Sequence, residues 1–194
     1  MEITSAQIKE LRDQTGISVM QCKKALEEAG GDMEKALVIL KKRRSEAAEK
    51  KSDRALGAGA VGVYVHNTNE VAATVVLASE TDFVAKNPEF ITLAREIALQ
   101  VAGANPKYLS RESVPADSLV AAKAVFASEV EGKPEEMKEK ILEGKLASYF
   151  RDQILLEQPF IKNPDTTIGD MVSGAIQKFG ENISVVSFHR ASVK

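Results

Sequence analysis

The sequence predicts an α+β protein: a three-helix N-terminal module, then a core of a small antiparallel three-stranded sheet packed with helices. Three observations carry this. Residues 1–50 place apolar side chains at helical spacing between glycine stops. Residues 61–77 alternate, or run in β-branched residues, about an Asn-rich turn. From residue 88 the spacing is helical again until a last strand pattern at 183–190. The boundary falls at residue 55, with 1–55 as helical module and charged linker and 56–194 as the α+β core.

In the module, Thr4 and Gln7 have capping-box spacing ahead of Ile8 and Leu11, and Gly16 stops the helix. Ser18 and Gln21 repeat the device before Val19, Cys22, Ala25, Leu26 and Ala29, and Gly30-Gly31 ends that helix. Asp32 caps a third helix lined by Met33, Ala36, Leu37 and Leu40. A bundle of about forty residues is marginal alone, which suggests that it leans on a partner. Lys41-Lys42-Arg43-Arg44 opens a charged stretch reaching Arg54, with Glu46, Glu49 and Asp53 interleaved. Its basic residues suit either a solvated helical linker or a nucleic-acid surface. The interleaved acids and the lack of an aromatic for base stacking favour the linker.

Gly57-Ala58-Gly59 opens the β region. Val61, Val63 and Val65 alternate with Gly62, Tyr64 and His66, and Asn67-Thr68-Asn69 turns the chain into the run Val71 to Leu77, so a hairpin is expected. Pro88 to Val101 reads as a helix with Phe90, Leu93, Ala94, Ile97, Ala98 and Val101 on one face. Two further helices, about 116–131 and 134–155, flank Gly132-Lys133-Pro134 and predict an antiparallel helix hairpin; Leu119, Ala122, Phe126 and Val130 share a face of the first. Gln158-Pro159-Phe160 breaks the pattern. Thr167 caps a helix bearing Met171, Val172, Ala175, Ile176 and Phe179, closed by Gly180, and Ile183 to Arg190 is the last strand. A three-stranded sheet buries one face on helices; its other face is either covered by self-association or left beside an exposed, charged edge.

Between the second strand and the helix at Pro88 lies Ser79-Glu80-Thr81-Asp82-Phe83-Val84-Ala85-Lys86-Asn87. Asn87 suits an N-cap and Pro88 the first helical position. This corner sets an acid beside a large ring. Phe83 either packs into the core or stands out as a recognition residue.

Chemistry of other kinds finds little footing. A net charge of -2 gives no overall pull toward nucleic acid or anionic membranes. The single cysteine, Cys22, rules out an internal disulfide and a multi-cysteine metal site, and it falls in the apolar register of its helix. The two histidines, His66 and His189, sit in strand patterns, and no phosphate loop, zinc spacing or nucleophile elbow occurs. Neither a metal nor a cofactor is expected. Met1-Glu2-Ile3-Thr4 lacks the basic head and apolar run of a signal peptide, and no stretch reaches membrane-span length, so a cytoplasmic location is expected.

Several segments together resemble the elongation factor Ts family, in its short form. They are Ile8-Lys9-Glu10-Leu11-Arg12 with Thr15-Gly16, Cys22-Lys23-Lys24-Ala25-Leu26 with Gly31-Asp32, and Glu80-Thr81-Asp82-Phe83-Val84-Ala85. Gly132-Lys133-Pro134, Gln158-Pro159-Phe160 and Gly180-Glu181-Asn182-Ile183 follow in the family's order. One departure is Ala78-Ser79, where members often carry Asn and Cys. The resemblance implies a UBA-like N-terminal module and a guanine nucleotide exchange factor for the GTPase elongation factor Tu, acting by binding and not as an enzyme. It implies that Thr81, Asp82, Phe83 and Val84 enter the GTPase near its Mg²⁺ site. It also implies partner contacts at Arg12, Val19, Met20, Lys23 and His66, and a homodimer formed through the sheet. No membrane and no direct nucleic-acid partner is expected. The alternatives are a nucleic-acid-binding module built on residues 41–54, and a small hydrolase whose active site the sequence does not display.

Overall fold

The computed structural model describes residues 3–129 and 135–193. The helices among them are α1 (Ser5–Thr15), α2 (Val19–Glu28), α3 (Met33–Glu49), α4 (Asp82–Ala85), α5 (Pro88–Ala104), α6 (Ala116–Glu129), α7 (Glu135–Arg151) and α8 (Ile168–Phe179). The strands are β1 (Ala58–Val65), β2 (Val71–Ser79), β3 (Pro159–Phe160), β4 (Asn163–Thr167) and β5 (Ile183–Ser192). The chain forms two compact units. One joins the residues up to Gly59 with Ala78–Phe90 and Val172–Ser184; the other comprises Ala60–Leu77, Ile91–Met171 and the chain from Val185 onward.

In the first unit, each of the three N-terminal helices starts on the cap that its sequence supplies. Gln7 N donates to Thr4 Oγ1 at 3.3 Å while Gln7 Oε1 accepts from Thr4 N at 3.0 Å. Ser18 Oγ accepts from Gln21 N at 3.4 Å, and Asp32 Oδ1 from Lys35 N at 3.1 Å. Such caps contribute about 1 kcal/mol each. The helices close over Leu11, Ile17, Cys22, Ala25, Leu26, Ala36 and Leu40, all buried, with Met33 packed against them. Leu37 lies at the margin and is half-exposed. The Cys22 thiol is enclosed near the Ile17 carbonyl. Helix α3 carries the charged stretch outward, where Arg43 pairs with Glu28 at 2.5 Å and Lys42 lies 3.9 Å from Glu46. The later half of α8 belongs to the same unit: Gln177 Nε2 donates to Gln21 Oε1 at 2.8 Å, and Lys51 Nζ to the Ile176 carbonyl at 3.4 Å.

The sheet is antiparallel, in the order β1-β2-β5. The hairpin closes with His66 N donating to Val71 O at 2.8 Å, and Asn69 takes the left-handed conformation (φ 57°) that asparagine tolerates better than most residues. Ala73, Val75 and Leu77 of central β2 are buried. On β1 the buried residue is Gly62, while Val61, Val63 and Val65 face solvent. Helix α5 buries Ala94, Ile97, Ala98 and Val101.

The ribbon β3–β4, antiparallel, was not anticipated from the pattern. Gln158, buried, explains the break there. Its Nε2 donates to Asp152 O at 2.7 Å, and its Oε1 accepts from Gln100 Nε2 at 3.0 Å. Gln100 Oε1 in turn accepts from Ile161 N at 2.9 Å, so the pair satisfies a ribbon too short to sustain itself. Helices α6 and α7 enclose Ala122, Leu146 and Phe150 with Val114 and Ile154, and Phe126 meets Tyr149 edge-on at 5.5 Å. Val130 and the Gly132-Lys133-Pro134 turn lie outside the described residues. Helix α7 ends at Arg151, before the expected 155, because Gln153 O accepts from both Lys107 N and Tyr108 N at 2.8 and 3.0 Å and draws the chain aside. Among the described residues no helix is long and apolar enough to cross a membrane.

Candidate partner-binding site

The corner after β2 is itself structured. Thr81 is extended (φ -123°, ψ 156°), and its hydroxyl oxygen accepts from Val84 N at 3.5 Å, capping the single turn α4. That turn sorts its side chains. Val84 and Ala85 are buried, whereas Phe83 is 83% exposed. That exposure excludes the inward alternative for Phe83, whose ring forgoes about 1.5–3 kcal/mol of burial in the free chain. Asp82 pairs with Lys86 one turn later at 2.6 Å, which holds its carboxyl below the usual carboxylate range. Both groups are largely solvated, so the pair adds little stability. Asn87 Oδ1 accepts from Glu89 N at 2.9 Å at the start of α5. Three residues beyond Asn87, Phe90 is buried edge-on against Phe179 at 6.3 Å, and Lys178 pairs with Glu89.

The turn is fastened from the far end of the chain. Thr81 N donates to Glu181 Oε2 at 3.0 Å and Thr81 Oγ1 to Glu181 Oε1 at 2.6 Å. Reciprocally, Glu80 Oε1 accepts from Asn182 N at 2.5 Å and from Arg54 Nη1 at 3.3 Å. The Asn182 amide, followed by Arg54 and Lys51, keeps the Glu80 carboxyl below its ordinary range. Asn182, buried, spends its side-chain amide on the carbonyls of Ser52 and Arg54 at 3.2 and 2.9 Å. The corner, the residues after α3 and the turn after α8 are thereby joined. None of Glu80, Glu181 and Asn182 was singled out as a site residue from the sequence. The bonds Thr81–Glu181 and Glu80–Asn182 span 100 and 102 positions, and local spacing carries no signal of such contacts.

The other expected contact residues are placed as follows. Arg12 is exposed on the last turn of α1, and Val19, Met20 and Lys23 are exposed on the first half of α2, with Lys23 3.8 Å from Glu27. Val19 and Met20 are 53% and 69% exposed. His66 belongs to the second unit, just beyond β1, where its Nδ1 lies 3.3 Å from Tyr64 Oη. Those two residues, with Val71, Leu99, Ala102, Gly103 and Ile161, line a hollow of about 320 Å³. Among the described residues no cluster of His, Cys, Asp or Glu could hold a metal ion.

Residues 24–194 match the sequence model of the family described as Elongation factor TS. The chain belongs to the elongation factor Ts family. It is 45% identical to Elongation factor Ts of Heliobacterium modesticaldum over 190 residues, covering 97% of this chain and 88% of the relative. Against the protein of the same name from Carboxydothermus hydrogenoformans the identity is 46% over the same shares. Against that of Thermodesulfovibrio yellowstonii it is 44% over 194 residues, covering 100% of this chain and 97% of the relative. As a member of the elongation factor Ts family, the chain is a translation elongation factor.

Proposed function

We propose that this chain promotes GDP release from the GTPase elongation factor Tu, acting by binding and carrying no catalytic group of its own. The observation that carries this reading is Phe83: a ring 83% exposed on a one-turn helix in a member of the elongation factor Ts family. A GTPase of the P-loop class holds GDP through backbone amides, a lysine and Mg²⁺. The ion demands near-octahedral geometry, so a small shift of its ligands or waters is costly. Phe83 enters as a wedge against the elements that carry those ligands, and Asp82 competes for the hydrogen bonds around them. Thr81 and Val84 act from beneath, one capping the turn and the other seating it in the core. Exchange is then a matter of linkage: the factor loosens nucleotide by the same ratio that nucleotide loosens the factor. Each tenfold needs about 1.4 kcal/mol of differential contact. Mixing this chain with elongation factor Tu loaded with a fluorescent GDP analogue tests the proposal. Release should accelerate with the concentration of the chain, and an unchanged rate would overturn it.

The N-terminal module supplies affinity in this scheme, through Val19 and Met20 with Arg12 and Lys23 at their margin; His66 is a further contact in the second unit. A Val19→Asp, Met20→Asp double variant should raise the concentration needed for half-maximal exchange about tenfold, since an exposed apolar anchor is lost. The maximal rate should stay near that of the parent chain. An unaltered concentration dependence removes these residues from the contact.

The factor further acts as a homodimer paired through its sheet, so that two copies serve two GTPases. Val61, Val63 and Val65, exposed on the outer strand β1, support this, because a row of valines beside an uncovered edge invites a second copy. Light scattering over a concentration series should give twice the chain mass for the parent and a single mass for Val63→Glu. A single mass for both would remove the pairing.

A further inference from the structure

We propose that Glu181 is a positioning residue for nucleotide exchange: its carboxylate fixes Thr81, and through Thr81 it fixes the angle at which Phe83 is presented. The inference rests on the exchange function proposed above. Two carboxylate oxygens take two different donors of one residue, Thr81 N at 3.0 Å and Thr81 Oγ1 at 2.6 Å. The bidentate pattern settles both the backbone and the side chain of Thr81, since either bond alone would leave a rotation free. With its proton committed to Glu181, the hydroxyl presents a lone pair to Val84 N, the bond that starts α4. Ser79 Oγ donates to Thr81 O at 3.0 Å and holds the same residue from the strand side. Phe83 thus stands on a turn whose first residue is tied at its amide, its carbonyl and its hydroxyl.

Glu181 is itself delivered without slack. Gly180 ends α8 in the left-handed conformation (φ 76°), with its amide on the Ile176 carbonyl, and Asn182 is buried immediately afterwards. The two acids exchange partners across the gap, Glu181 taking Thr81 and Glu80 taking Asn182, so neither segment slides past the other without breaking both contacts. This matters for a wedge. A loose turn would spend partner contact energy on being ordered, and only what remains acts on the bound nucleotide. A displacement of a fraction of an ångström at the support also misplaces the ring. Glu181 touches neither nucleotide nor ion in this scheme; it acts through Thr81.

The test compares Glu181→Ala, Glu181→Gln and Phe83→Ala in stopped-flow release of a fluorescent GDP analogue from the GTPase, with each variant titrated to saturation. Glu181→Ala should lower the maximal release rate about tenfold, the effect of losing hydrogen bonds to a charged acceptor, with little change in half-saturating concentration. Glu181→Gln keeps one acceptor for Thr81 N and places an amide donor at Thr81 Oγ1, so it should recover to within about threefold of the parent. Thermal midpoints should stay together, because Thr81 is exposed and its donors can turn to water. A parent-like rate for Glu181→Ala beside a slow Phe83→Ala would overturn the positioning role and leave exchange standing. Equal losses in the alanine and glutamine variants would also overturn it, pointing to a direct charge contact with the partner. A parent-like rate for Phe83→Ala would instead overturn the exchange mechanism itself.

Discussion

Phe83→Ala should slow partner-stimulated GDP release about thirtyfold at saturating factor, the equivalent of about 2 kcal/mol, a usual cost for truncating a buried aromatic hot spot. Its thermal midpoint should not fall, because the ring is 83% exposed and stabilises nothing in the free chain. This combination separates a wedge from a core residue: a buried phenylalanine cut to alanine costs about 3–5 kcal/mol of folding stability and drags activity down with it. Asp82→Ala should show a smaller loss. Its carboxylate is engaged with Lys86 at 2.6 Å in the free chain, so part of whatever it gives the partner is offset by breaking that pair. Partner affinity in the Phe83 variant should weaken far less than its maximal rate if, as proposed, Val19 and Met20 supply a separate contact. A parent-like maximal rate would take the ring out of the mechanism. A lowered thermal midpoint with unchanged exchange would return it to a packing role.

What could be read from the sequence was what local chemistry decides. The caps at Thr4, Ser18, Asp32 and Thr167 each act within three residues, and each is present in the fold. The apolar spacing of Leu11, Cys22, Ala25, Leu26, Ala36 and Leu40 marked the core of the module for the same reason. Features set by distant partners were not legible. Gln158-Pro159-Phe160 looked like a mere interruption because the residue that satisfies it, Gln100, lies 58 positions earlier. Helix α7 stops at Arg151 through carbonyl acceptors that only the fold brings to Lys107 and Tyr108. At the corner the residue types suggested a site, and composition could not say whether the ring pointed in or out. Its direction follows from Val84 and Ala85 claiming the inner side of a four-residue helix. The Glu181 clasp was invisible for want of any local pattern.

Gly62→Ala should be among the most damaging single-methyl changes available to this chain, and the reason also explains which way β1 faces. Alternation of Val61, Val63 and Val65 with Gly62, Tyr64 and His66 would ordinarily send the valines to the core and the glycine to solvent. The structure does the reverse. A Cβ at residue 62 would fall far inside van der Waals contact with the carbonyl of Ala94 and only 2.7 Å from Arg95 N, so α5 lies directly against the strand backbone. Both obstacles are main chain, and no rotamer change relieves them; the helix must move away from the sheet. Its contacts at Ala94, Ile97 and Ala98, all fully buried, then open together. The expected loss is about 3 kcal/mol or more, a fall of roughly 10 °C in thermal midpoint for a chain of this length. Val63→Ala, one residue away on the opposite face, should shift the midpoint of the single chain by little, since that side chain is half in water. The pair reads the sidedness of the sheet directly by calorimetry. A tolerated Gly62→Ala beside a damaging Val63→Ala would mean that the valines, and not the glycine, line the core, and the outer face proposed for pairing would no longer exist.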